Sequence, residues 1–292
     1  MQHNRESKTW FITGTSSGLG NTMTEMLLAR GDRVLATVRC AGLDELQAQY
    51  RERLHVATLD VTDSGAVRTV VDRAFGELGR IDVIVNNAGF GLFGAAEELN
   101  DEQIRRQIET NLVGSIAVIR AALPHLRAQG GGRVLQVSSE GGQIAYPNFS
   151  VYHATKWGIE GFVESVAQEV ASFGIEFTLL EPGPTRTNFG SNAVRMPAMA
   201  AYENTSSGEI RRALAERRFA TYGDPERIAR AMIDCGDRSP ALRRVAFGSE
   251  PYGRIREALM SRLAELDAQK EIAFATDTVE PAPPTFHSRT EH

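Results

Sequence analysis

Lysine is nearly missing from this chain. Of its 32 basic residues only Lys8, Lys156 and Lys270 are lysines; arginine carries the rest. Cysteine is scarcer still. Cys40 and Cys235 are too few for a disulfide framework or a zinc cluster, so two reduced thiols and no metal site are expected. No apolar run reaches the roughly 18 residues that a membrane-spanning helix needs. Excess positive charge is absent too. The net charge of −5 argues against nucleic acid as the main partner. The opening "MQHNRESKTW" lacks the apolar stretch of a signal peptide. Together these absences point to a cytoplasmic protein.

What is present is an alternation. Short Val/Leu/Ile runs at 9–13, 33–38, 54–61, 81–89, 132–139 and 175–183 read as strands buried on both faces. Between them lie helical patterns, including a long one over about 101–128 and another over 150–173. In the first helix Leu19, Met23, Met26 and Leu27 share a face, and Gly31 stops it. Strands alternating with crossover helices predict an α/β fold, a doubly wound, mostly parallel sheet in one domain. After residue 187 the pattern loosens. Residues 188–222 read as an irregular substrate loop or lid. Asp224 and Pro225 then make a sound helix start. A last strand is expected over 242–249 and a helix over 251–272. The Pro-rich, polar residues 274–292 are expected to be disordered.

Three motifs carry chemistry. "TGTSSGLG" puts Gly14, Gly18 and Gly20 between the first strand and first helix, where missing side chains and free backbone N–H groups suit a pyrophosphate. Alone, such a loop could be a mere tight turn. "YHATK" places Tyr152 and Lys156 one helical turn apart on one face. A phenol has a pKa of about 10. To act as general base near neutrality it should titrate nearer 7. That shift needs roughly 4 kcal/mol of preferential stabilisation of the phenolate. An ammonium ~4 Å away at an effective dielectric of ~20 supplies about that much. Lysine, compact and flexible, suits this better than the forked guanidinium. The third motif is the end of the second strand, "ATVRC", where Val38 stands in the place of the acid that binds the ribose of NAD and Arg39 follows. A guanidinium there can bind a 2′-phosphate, so NADP(H) is favoured, with NAD(H) left open.

With "NNAG" after the fourth strand and "PGPTRT" after the sixth, the set resembles the short-chain dehydrogenase/reductase family in its shorter, single-domain branch, over about residues 8–187. The nearest resemblance is to NADP-preferring, hydroxysteroid-dehydrogenase-like members. It implies a Rossmann-type oxidoreductase domain over 1–273 that interconverts a ketone or aldehyde and an alcohol. Tyr152 would be the general acid/base and Lys156 its partner. Ser139, rather than the neighbouring Ser138, would hold the substrate oxygen. Asn111 would hold a relay water. Cofactor contacts would come from Gly14, Ser16, Ser17, Gly18, Leu19, Gly20 and Arg39; from Asp60 and Val61 at the adenine; from Asn87, Ala88 and Gly89 at the ribose; and from Tyr152, Lys156, Pro182, Gly183, Thr185 and Thr187. An apolar mouth is expected from Phe90, Leu92, Phe93, Ile144, Tyr146, Phe149, Met196 and Met199, which suits a lipophilic small molecule. Arg186 or Arg195 could meet a substrate carboxylate. A homodimer or homotetramer is expected. The rival reading is a non-catalytic NADP(H)-binding regulator on the same fold.

Overall fold

The computed structural model describes residues 6–40, 42–216, 218 and 222–277. In chain order its elements are β1 (Thr9–Ile12), α1 (Gly18–Arg30), β2 (Arg33–Val38), α2 (Asp44–Tyr50), β3 (Leu54–Thr58), α3 (Ser64–Leu78), β4 (Val83–Asn86) and the two-residue β5 (Leu92–Phe93). There follow α4 (Asp101–Ile108), α5 (Gly114–Ala128), β6 (Gly132–Val137), α6 (Ser150–Glu169), β7 (Ile175–Pro182), the equally short β8 (Val194–Arg195) and α7 (Ser206–Ala215). The chain then forms α8 (Pro225–Asp237), β9 (Arg244–Phe247), α9 (Ser249–Ala268) and α10 (Lys270–Phe274).

Seven strands form one parallel sheet in the order β3-β2-β1-β4-β6-β7-β9. Side chains alternate across a strand, so each strand feeds two cores. Phe11 packs with the apolar faces of α3, α5 and α6, and its neighbours Trp10 and Ile12 pack with those of α1 and α8. This double burial is why the strands read as unbroken apolar runs. The chain leaves β1 towards β2 on one side and reaches β4 on the other. That reversal opens a crevice at the strands' carboxyl ends, where α/β sheets bind ligands.

Caps follow the sequence signals. Gly31 takes a left-handed φ of 98° at the end of α1. The Asp224 carboxylate accepts from the Arg227 N–H at 3.0 Å and Pro225 opens α8. The long helix expected over 101–128 is interrupted. Glu109–Val113 is a π turn in which Gly114 N–H reaches back to the Glu109 carbonyl. Most strands are shorter than expected, and β5 and β8 were not foreseen as strands. They pair in parallel in a small sheet of their own, Leu92 with Val194 and Phe93 with Arg195, so the segment after residue 187 is tied to the connection between β4 and α4. Of the tail expected to be disordered, Phe274 is the last residue of α10 and 278–292 lie outside the described residues.

Candidate active site

The glycine loop and the "NNAG" run are stitched together. Thr13 Oγ1 accepts the N–H groups of Asn87 and Ala88 at 2.9 and 3.0 Å. The Asn87 amide donates to the carbonyls of Thr13 and Gly14 at 2.9 and 3.0 Å. Gly14 has a φ of 70°, and a Cβ there would lie 2.9 Å from Ala88 Cα. A Cβ on Gly20 would stand 2.5 Å from the Gly14 carbonyl oxygen. Both glycines are therefore required by geometry. Ser17 is the extended N-cap of α1 and its side chain makes no cap bond, while Ser16 and Ser17 are exposed and Leu19 half-buried. Leaving the first N–H groups of a helix without a side-chain cap beside a side-chain-free turn makes a cradle that fits a phosphate.

The exit of β7 closes over this cradle. Thr187 Cβ lies 3.8 Å from where a Gly18 Cβ would be. Thr185 donates its hydroxyl to the Gly183 carbonyl at 2.9 Å and bridges Gly223. Gly183, next to Pro182, packs so close to Pro251 of α9 that a Cβ would meet its Cγ at 2.1 Å. At the end of β2, Val38 is buried and Arg39 exposed; among the described residues Arg39 has no ion-pair partner. Asp60 sits below the usual carboxylate range, chiefly because the Thr62 N–H and hydroxyl donate to it, with Arg39 and Arg106 adding. Val61 instead packs against Gly114 in α5.

Ser139, Tyr152 and Lys156 are brought to one place from β6 and α6. The Ser138 hydroxyl is turned away, donating to the buried Glu160 carboxylate. Ser139 lies at the head of a short turn, Glu140–Gly142, where its Oγ accepts from Gly141 N–H at 3.1 Å and donates to the Pro182 carbonyl at 3.4 Å. Lys156 Nζ donates to the Val137 carbonyl at 3.0 Å and stands 5.6 Å from the centre of the Tyr152 ring.

The titration of this pair differs from the sequence argument. Burial pushes Tyr152 up to about 12, opposed by its bond to Ser139 and aided by the charge of Glu140. Burial pulls Lys156 down to about 8, against the charge of Glu160. Desolvation outweighs the ammonium, whose nearest partner is a backbone carbonyl. Asn111 sits in the π turn, its amide closing a pair of bonds with the Phe90 backbone at 3.0 and 2.9 Å. Its third contact is Thr155 Oγ1 at 3.5 Å.

Around Tyr152 stands a ring of aromatic side chains. Phe189 lies 5.9 Å from it and Phe149 6.2 Å, and Phe149 meets Phe93 and Tyr146 edge to face. Leu92 and Ile144 are buried, Phe90 lies under Arg106, and Met199 is 39% exposed. Arg186 pairs with Asp224 at 2.9 Å and Arg195 covers the Phe93 ring, so both candidate carboxylate binders are engaged. A cavity of ≈ 420 Å³ beside edge strand β3, between Gln47, His55 and Glu77, contains none of these residues.

Sequence reasoning missed five buried polar groups here. Glu140 is bound by both arms of Arg254, from α9, at 3.1 and 2.9 Å. His153 is buried against Tyr146, which holds it well below the usual imidazole range, at about 4. Glu160 and Glu181 share Arg244. Glu98 accepts from the backbone N–H groups of Ala95 and Met199 at 2.8 Å and pairs with Arg211, pinning the substrate loop. His153 lies inside "YHATK" at a position to which the motif assigns no chemistry, and the four carboxylates lie outside the motifs; only long-range packing gives these residues a role.

A family model described as short chain dehydrogenase matches residues 8–198. An oxidoreductase of Botryotinia fuckeliana, BOA17, is 39% identical over 240 residues, 81% of this chain and 88% of that one. A solved short-chain dehydrogenase of Streptomyces avermitilis superposes with a TM-score of 0.86 at 36% identity, over 93% of this chain and 100% of that one. An alcohol dehydrogenase of the archaeon Thermococcus sibiricus, solved with 5-hydroxy-NADP, gives 0.67 at 25% identity, over 83% and 96% of the two chains.

Proposed function

This chain belongs to the short-chain dehydrogenase family, and on that premise we propose that it is an NADP(H)-dependent oxidoreductase interconverting a ketone or aldehyde and an alcohol, on a lipophilic small molecule. The observation that carries the reading is the convergence of Ser139, Tyr152 and Lys156 beside a glycine cradle, inside a ring of aromatic side chains. The cradle from Gly14 to Gly20 would hold the pyrophosphate, Arg39 a 2′-phosphate, and Thr185 with Thr187 the nicotinamide end. When bound, the reduced nicotinamide supplies the hydride that a carbonyl carbon accepts.

The chain's own groups do the rest. Ser139 Oγ donates to the carbonyl oxygen and polarises it. Tyr152 is protonated at neutral pH, so its Oη gives up the proton that turns this oxygen into a hydroxyl. Carbonyl reduction is thus the direction for which the resting protonation state is the reactive one. Two free thiols, Cys40 exposed and Cys235 buried, suit a reducing cytoplasm.

The cofactor preference rests on Val38 and on an exposed Arg39 that has no ion-pair partner among the described residues. It is tested by kcat/KM with NADPH and NADH on a panel of lipophilic ketones, read at the nicotinamide absorbance. Val38→Asp with Arg39→Ala should move the ratio towards NADH by roughly ten- to a hundredfold, the worth of a charge-assisted contact. Equal wild-type values for the two cofactors would refute the preference. Absence of turnover on every ketone and alcohol, with cofactor still bound, would favour the regulator.

A further inference from the structure

We propose that the outer face of α9 is a self-association surface and that it is covered by α9 of a second copy of this chain, laid antiparallel across a two-fold axis. The helix has two faces. Pro251 and Ile255 are buried against the body, and Arg254 and Arg262 reach inward to Glu140 and the Gln143 carbonyl. The adjoining face is apolar and open: Met260 is 55% exposed and Leu263 59%, with Tyr252, Leu259 and Leu266 beside them. A groove of ≈ 360 Å³ runs along it, between Tyr252, Ile255, Arg256, Leu259, Met260 and Leu263. Large open apolar patches of this kind mark association sites.

The charges name the occupant. Arg256, Met260, Leu263 and Asp267 follow one another at i, i+4, i+7 and i+11, a single line along the helix. The line reads basic, apolar, apolar, acidic, so it is complementary to its own reverse. In an antiparallel pair Arg256 faces the partner's Asp267, Met260 faces the partner's Leu263, and each contact occurs twice, as an isologous interface requires. A parallel pair would set Arg256 against the partner's Arg256. Neither Arg256 nor Asp267 has an ion-pair partner among the described residues, so both charges are available. Antiparallel packing also opposes the two helix dipoles favourably. A helix that lies on an anionic lipid surface carries basic residues along its polar margin; here Asp267 and Glu271 flank Lys270 at one end, so the charge is mixed.

The proposal is independent of the catalytic reading. Sedimentation velocity on the full chain at micromolar concentration tests it, with circular dichroism as the control for folding. The wild type is expected at twice the chain mass or a multiple of it. Arg256→Asp and Asp267→Arg each bring like charges together twice per interface, and each should halve the mass. The two substitutions combined restore opposite charges and should restore the mass; Leu263→Asp should halve it irreparably. A monomeric wild type, including one that floats with phosphatidylglycerol vesicles, overturns the proposal. So does unchanged mass in the single variants, or a double variant that stays halved.

Discussion

Tyr152 and Lys156 are displaced by burial in opposite directions, the phenol up to about 12 and the ammonium down to about 8. A phenol that keeps its proton through neutrality is a donor, and removing it should cost what a general acid contributes. Tyr152→Phe is expected to lose about 10²–10⁴-fold in kcat while cofactor affinity, read by nicotinamide fluorescence, stays within about twofold. His153 gives a second test. Its folded pKa of about 4 lies below the ordinary 6.5. Between those values the unfolded chain binds a proton that the folded chain does not, so stability falls as pH drops from 6.5 to 4. Above 6.5 the group contributes no pH dependence. In His153→Phe the urea midpoint should lose that part of its acid slope; an unchanged slope would mean another group sets it. These buried neighbours were invisible in the sequence. The motif spacing placed the tyrosine and lysine on one helix face, but a pKa depends on what covers them, and that comes from residues far along the chain.

At the scale of elements, two devices hold the site. One is the grip of α9 on the turn that begins with Ser139. Arg254 neutralises a Glu140 whose pKa burial already raises. Arg254→Ala should destabilise the protein by about 2 kcal/mol, below the cost of breaking a fully buried pair because Arg254 is part-exposed. Adding Glu140→Gln should recover part of that loss; a strictly additive double variant in urea denaturation would deny the coupling. The other device is the substrate loop. Its composition suggested a lid, and the β5–β8 pairing with the Glu98 anchor divides it. Amides at 194–199 should be protected from hydrogen exchange in every state, while 188–193 should gain protection with NADP(H). Uniform, ligand-independent protection would make the whole segment a wall. Two-residue strands and a π turn leave no periodicity to read, so neither could be foreseen, whereas β1, β4 and β6 were plain as Val/Ile/Leu runs.

At the scale of the whole molecule, the alternation of strand and helix was enough to foresee the α/β sheet, because each strand is buried on both faces and each helix on one. The site is assembled differently. Glu140 and Arg254 stand 114 residues apart in the chain, and Gly183 closes on Pro251. The glycine cradle, Ser139 and Tyr152 all leave the ribosome before α9. Synthesis runs at about 5–20 residues per second and early segments fold as they emerge. For several seconds, therefore, a nascent chain can carry its sheet and its cradle while Glu140 has no counter-charge and the Ser139 turn has no backing. The Ser139 turn would gain its support only when the first turns of α9, with Pro251 and Arg254, arrive.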